Sequence, residues 1–249
     1  MSGHNKWSTI KHKKGRTDAA RGKLFTKLIR EITVATKEGG KDRDGNARLR
    51  SAIIAARSGN MPKDTIERAI KRGAGDIECE TYLEVTYEGY GPGGVAFFIE
   101  AVTTNRNRTV AEVRHLLSKH GGNLGTDGSV GWMFEQKGSI EIPAEGCDFD
   151  ALWEAAVEAG AEDVDQGDPH HFVACEFHDL HSVTVALEGG GFTVAQAQPV
   201  RVAVNTVSVE GKSAESTLRL MEALDDQDDV QNVYINADIS DEEMARLSG

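Results

Sequence analysis

The chain has no apolar run approaching the roughly 18 residues that a membrane-spanning helix requires. It has little cysteine: Cys79, Cys147 and Cys175 are odd in number, widely spaced and without a Cys-x-x-Cys pair. That excludes a disulfide framework and a zinc ribbon, and it fits a reducing compartment. The N-terminus is basic with no apolar stretch behind it, so no secretory signal is read there. Gly-x-Ser-x-Gly, His-Glu-x-x-His and the Walker pattern are all missing. Acidic runs such as Asp225 to Asp229 read as a solvated turn, without the apolar neighbours that would raise a carboxyl into the range of a general acid. The expectation is a cytoplasmic, monomeric, non-enzymatic protein with no cofactor, no metal, no membrane contact and no small-molecule substrate.

Basic residues are scarce over most of the chain. Residues 76–249 hold 9 lysines and arginines against 33 acids, whereas residues 1–75 hold 19 against 7. A net charge of −12 therefore conceals a first module of +12 joined to a remainder of −24. Such a split marks a polyanion-binding part attached to a part that the same polyanion repels.

Apolar residues Leu24, Phe25, Leu28, Ile29, Ile32 and Ala35 recur at the spacing of one helical face and predict a helix over residues 17–37. A second helix is expected over 47–57, with Leu49, Ala52, Ile53 and Ala56 inward. A third opens at Pro62, carries Ile66, Ala69 and Ile70 on one face, and stops at Gly73. Ahead of the first helix stand Lys6, Trp7, Lys11, His12, Lys13, Lys14 and Arg16, where no helical pairing accounts for the charge. With Arg21, Lys23, Lys27 and Arg30 they form the first candidate surface for nucleic-acid phosphates. Trp7 reads equally as a platform for base stacking or as a cap on the small helical core.

In the acidic remainder, residues 82–87 and 95–102 read as strands joined by a glycine-rich hairpin loop. That loop lacks the Gly-Lys-Ser/Thr ending of a phosphate cradle and leads into a strand. Thr109-Val-Ala-Glu112 has the form of a capping box opening a helix to about His120. Asn105, Arg106 and Arg108 then fall at a helix N-terminus and form a second candidate phosphate contact. The competing reading is a turn whose asparagines bond their own backbone and whose arginines pair with carboxylates.

Residues 130–135 read as a third strand. A strand–helix–strand–helix–strand unit follows, with strands at 139–142, 171–177 and 192–197 and helices at 149–159 and 180–187. An extended run over 200–209, a helix over 213–224 and a strand over 230–235 then complete the earlier strands. His170, His171, His178 and His181 surround Cys175, but no ligand pairs arise from two knuckles. Cys175 shares a strand face with Val173 and reads as core, and Asp179 reads as a helix N-cap. The whole is read as α+β. A small helical domain (1–77) is followed by two ferredoxin-like sandwich domains, with 137–205 inserted into the domain formed by 78–136 and 206–240.

Three stretches carry a family resemblance: Gly3 to Lys14 (Gly-His-Asn-Lys-Trp-Ser-Thr-Ile-Lys-His-Lys-Lys), Arg21 to Ile32, and Asn60 to Gly73. With Asn-Arg-Asn-Arg-Thr-Val-Ala-Glu-Val-Arg-His at Asn105 to His115, they closely resemble the YebC/PmpR family. The resemblance runs along essentially the whole chain. It implies a helical domain plus two α+β domains, and a regulator of gene expression described as binding DNA. Its mitochondrial relatives are translational activators, and bacterial members are linked to ribosomes and to synthesis of difficult sequences such as proline runs. A nucleic acid, either DNA or ribosomal RNA, is thus the expected partner. No recognition helix suited to reading base edges is evident. The rival from another class is an adaptor whose acidic domains dock a protein.

Overall fold

The structure is a computed structural model that describes residues 18–43, 45–78 and 80–248. It divides into two compact units. One takes in the described residues up to 78 together with 136–201, and the other takes in 80–135 and 202–248.

The helical part of the first unit consists of α1 (Asp18–Gly39), α2 (Ala47–Ser58) and α3 (Lys63–Gly73). Ile32, Ala35, Leu49, Ala52, Ile53, Ala56, Ile66, Ala69 and Ile70 bury one core, with Phe25, Leu28 and Ile29 packed against its edge. The 3.6-residue period thus puts these apolar residues where the sequence expects them, with one exception. Leu24 is 41% exposed and lies at the rim, beside Gly59.

Asn46 ties the first two helices together. Its side-chain oxygen accepts the Leu49 N–H at 3.0 Å, while its amide donates to the carbonyls of Ala35 (2.7 Å) and Gly40 (2.8 Å). One buried side chain therefore caps the start of α2 and binds two carbonyls near the end of α1.

The α1–α3 contact depends on the absence of a side chain. A Cβ at Gly73 would run into the Thr33 carbonyl oxygen and the Thr36 side chain. Thr33 and Thr36 are themselves buried, their hydroxyls donating to the carbonyls of Ile29 and Ile32 at 2.7 Å. Gly73→Ala is expected to cost about 1–3 kcal/mol by forcing two backbones apart. Urea unfolding checks this, and a variant as stable as the parent would mean that the contact gives way.

The later elements, in chain order, are β1 (Leu83–Tyr90), β2 (Ala96–Thr103), α4 (Arg106–Lys119), β3 (Asn123–Leu124) and β4 (Phe134–Pro143). Next come α5 (Phe149–Glu158), β5 (Asp163–Asp165), β6 (His170–Glu176), α6 (Leu180–Gly189) and β7 (Gln196–Ala203). The chain ends with β8 (Val207–Ser208), α7 (Gly211–Asp225), β9 (Val230–Ile235), β10 (Ala237–Asp238) and α8 (Asp241–Ser248). The fold is α+β. No helix among the described residues is long and apolar enough to cross a membrane.

In the second unit the sheet order is β3-β1-β2-β9, so β2 pairs with a strand more than a hundred residues later. β1 and β2 form an antiparallel hairpin with Tyr90 opposite Ala96. Its glycine-rich connection turns through Gly93 and Gly94, both at positive φ (72° and 78°), where a side chain would be strained.

The strand expected over residues 130–135 is not formed as such. Gly131–Met133 is a single 3₁₀ turn, the third strand of this sheet is the short β3, and β4 starts only at Phe134. The cause is Glu88 on β1. Its buried carboxylate accepts the N–H groups of Gly128 (2.9 Å), Val130 (2.6 Å) and Gly131 (2.8 Å). Backbone donors used by a carboxylate cannot join a ladder.

The inserted sheet has the order β5-β6-β4-β7. Ile140, Ile142, Val173, Cys175 and Ala197 cover one of its faces. Leu152 and Ala156 of α5 and Val183 and Leu187 of α6 pack onto them. Asp148 caps α5 by accepting the N–H groups of Asp150 and Ala151. The cap expected of Asp179 is not made. A 3₁₀ turn over Phe177–Asp179 runs straight into α6, leaving Asp179 with helical backbone and no side-chain cap bond.

Candidate nucleic-acid interface

The first candidate surface divides at the start of α1. Lys6, Trp7, Lys11, His12, Lys13, Lys14 and Arg16 lie outside the described residues. Arg21, Lys23, Lys27 and Arg30 follow on α1, with Arg21 exposed and the other three half-buried. The guanidinium carbon of Arg21 lies over the Phe25 ring, 5.6 Å from its centroid, a cation–π contact with an aromatic at the edge of the core.

The acids of α1 matter as much as its bases. Arg48 of α2 donates to both oxygens of Glu31, at 2.7 and 3.0 Å, and to Glu38 at 2.7 Å. One arginine from a neighbouring helix thus engages both carboxylates of α1 beyond its first turn. This lowers the negative potential along the helix that carries the candidate bases.

The second candidate contact is built differently from the capping-box expectation. α4 begins at Arg106, three residues before Thr109, and its N-cap is Asn105, whose side chain accepts the Arg108 N–H at 3.1 Å. Arg106 and Arg108 therefore occupy the first turn. Thr109 is fully buried, with its hydroxyl 2.8 Å from that of Thr103 and 2.7 Å from Asp229.

Asp229 is the residue that sequence reasoning missed. The run Asp225 to Asp229 reads as solvated, yet Asp229 is 1% exposed. One of its carboxylate oxygens accepts from the Thr103 hydroxyl (3.1 Å) and from the Arg108 guanidinium (2.7 Å). The only signal in the chain is position, since Asp229 immediately precedes the buried start of β9.

The two arginines consequently differ. Arg108 is bound to Asp229, and that hydrogen bond raises its pKa above the ordinary guanidinium value. Arg106 is exposed and makes no ion pair with a described residue. Its carbonyl accepts from the Tyr87 hydroxyl at 3.4 Å, and burial raises the pKa of that phenol. The turn-and-ion-pair reading thus describes Asn105 and Arg108, and Arg106 is the cation of this site that has no ion pair to a described residue.

The histidines do not converge. Among the described residues no group of three His, Cys, Asp or Glu side chains is arranged to hold a metal. His171 is buried, accepts the Gly167 N–H on Nδ1 at 3.3 Å, and has its pKa lowered by burial. Cys175 is fully buried in the inserted core, and burial pushes its thiol up to about 11. In the folded protein at pH 8, Cys175 is expected to resist alkylation while Cys147, which is partly exposed, reacts first. Mass spectrometry of iodoacetamide-treated protein checks this, and equal rates at the two sites would contradict the burial.

Comparison with known proteins bears on the whole chain. Residues 5–76 match the family described as the TACO1/YebC protein N-terminal domain, and residues 82–237 match the TACO1/YebC second and third domain. A "Probable transcriptional regulatory protein" of Geobacter sp. (strain M21) is 55% identical over 247 residues, covering 99% of this chain and 100% of the relative. One from Acidithiobacillus ferrooxidans (strain ATCC 53993 / BNL-5-31) is 58% identical over 247 residues, covering 99% and 98%. The crystal structure of a conserved hypothetical protein from Aquifex aeolicus superposes with a TM-score of 0.89 at 49% identity. The match covers 94% of this chain and 97% of that one.

Proposed function

The chain belongs to the TACO1/YebC family, and from that membership we propose that it is a non-enzymatic, nucleic-acid-binding regulator of gene expression. The observation that carries this reading is the charge of its first module, 19 lysines and arginines against 7 acids in a chain whose net charge is −12. Relatives named as probable transcriptional regulators support the regulatory part of it. In this reading the residues from Lys6 to Arg30 contact phosphates, Arg106 adds a contact from the second unit, and the acidic remainder is repelled by the polyanion.

DNA is the target we infer from the transcriptional role in the relatives' names. RNA, as in a ribosome-associated translation factor, is favoured by one observation on α3. The exposed side chains of that helix are Lys63, Asp64, Arg68 and Lys71, with no Asn or Gln to read adenine in a major groove. Lysines and arginines can read guanine as well as phosphates, but a helix without adenine readers leans towards recognition by backbone and shape, as double-stranded RNA is bound.

Binding to a DNA duplex and to a structured RNA between 50 and 200 mM salt tests the reading, at roughly 0.9 in log–log slope per duplex phosphate neutralised. A slope of several units is expected, and a flat one would remove the nucleic-acid function. Co-sedimentation with ribosomes, run beside a DNA gel shift at near-physiological salt, separates the two targets. Retention on ribosomes with only salt-labile DNA binding makes this a translation factor. Salt-resistant, sequence-dependent DNA binding without ribosome association makes it a transcriptional regulator.

A further inference from the structure

The inserted segment, residues 136–201, contains 13 acids and only two bases, Lys137 and Arg201. Lys137 is consumed internally, its ammonium held by Glu162 at 2.9 Å and Glu176 at 2.5 Å. The segment is therefore a strongly acidic module, and nucleic-acid phosphates would be repelled from it.

Its acids are not spread evenly, and α5 shows why that matters. Asp150, Glu154 and Glu158 fall at i, i+4 and i+8 on this helix, and all three are exposed. Neither α5 nor α6 contains a lysine or arginine to relieve them. Like charges at this spacing destabilise a helix, so the stripe is kept at a cost.

Beside that stripe on the same helix, Trp153 and Val157 are 50% and 49% exposed. The inward face of α5 is already filled by Leu152 and Ala156 in the domain core, so the tryptophan is not needed there. An indole held out on a rigid helix, next to a row of carboxylates, is a built combination of apolar anchor and charge.

We propose that the Trp153–Val157 face of α5 docks a protein partner through a basic amphipathic helix. Leucine- or phenylalanine-like side chains of that helix cover Trp153 and Val157. Its lysines and arginines meet Asp150, Glu154 and Glu158. The charge complementarity selects this occupant, because a phosphate backbone carries the wrong sign and a neutral helix would leave the carboxylate row uncompensated. The proposal does not depend on the nucleic-acid reading, since it concerns the part of the chain with opposite charge.

The test uses the full chain, labelled with ¹⁵N, and two synthetic peptides of about 20 residues, long enough to hold a helix. Both contain only leucine and lysine in the same proportions. One places leucines at i, i+3, i+4 and i+7, and the other scatters them. The patterned peptide is expected to bind at least about tenfold more tightly, with shifts centred on residues 149–158. Trp153→Ala/Val157→Ala should remove that advantage, and Glu154→Lys/Glu158→Lys should abolish binding. Arg106→Glu should leave binding unchanged.

Equal affinity for the two peptides, lost together with added salt, would reduce the surface to bare charge and overturn the proposal. Shifts at the same residues on adding a duplex RNA would reassign it to nucleic acid. A Trp153→Ala spectrum that differs in residues 1–17 without any peptide would assign the face to this chain's own basic arm. Either of those results also overturns the proposal.

Discussion

Reversing the charges of Lys11, Lys13 and Lys14 to glutamate is expected to lower nucleic-acid affinity by roughly a hundredfold or more at moderate salt, because three phosphates keep their condensed counterions. The log–log salt slope should fall by about 2.7 on duplex DNA, or about 2.1 on a single strand, when these three phosphates are no longer neutralised. Among the described residues the helical core is built from α1, α2, α3 and Met61, so thermal stability should be unchanged and serves as the control. Arg106→Glu frees a single phosphate and should weaken binding by roughly tenfold, reducing the slope by about one. If Arg106→Glu proved the more damaging, the principal surface would lie in the second unit.

The second large effect is on stability. Asp229→Ala is expected to destabilise the second unit by about 2–4 kcal/mol. The carboxylate is 2% exposed, and its removal leaves the buried Thr103 and Thr109 hydroxyls and the Arg108 guanidinium without their shared acceptor. Arg108 is 48% exposed, so water screens part of the ion pair. Most of the loss therefore comes from the two threonines. Asp229 also joins the first turn of α4 to the start of β9, so the substitution loosens two elements together. Arg106→Glu, on an exposed side chain without an ion pair to a described residue, should change stability by no more than about 0.5 kcal/mol. Urea unfolding of the two variants separates the arginine that binds outward from the aspartate that holds the site. An Asp229→Ala protein as stable as the parent would show that water replaces the carboxylate without cost.

The same network explains where reading the chain failed. Thr109-Val-Ala-Glu112 satisfies the pattern of a capping box, and only Asn105, four residues earlier, competes with it locally. Asn105 takes the cap because the Thr109 hydroxyl is drawn inward by Thr103 and by Asp229, 120 residues away. Glu88 is a parallel case. Val130-Gly-Trp-Met-Phe-Glu has the composition of a strand, but a carboxylate some forty residues earlier takes two of its N–H groups. In both cases a polar side chain meets a buried backbone or hydroxyl group that no local window contains. Asp179 differs: it makes no cap because the residues before it already turn helical.

What could be read from the residues was whatever repeats at short range. The apolar period of α1, α2 and α3 identified their buried faces, because a helix buries one stripe whatever its neighbours are. The run Val230–Ile235 was legible as a strand by composition, and the glycine-rich turn after β1 as a hairpin by what it lacked. The charge division between residues 1–75 and the remainder needed only counting, because charge adds regardless of fold. Which arginine is ion-paired and which is not, and where α4 begins, required the folded chain. So did the burial of Asp229. Burial makes every polar group find a partner, and that partner can come from any distance along the sequence.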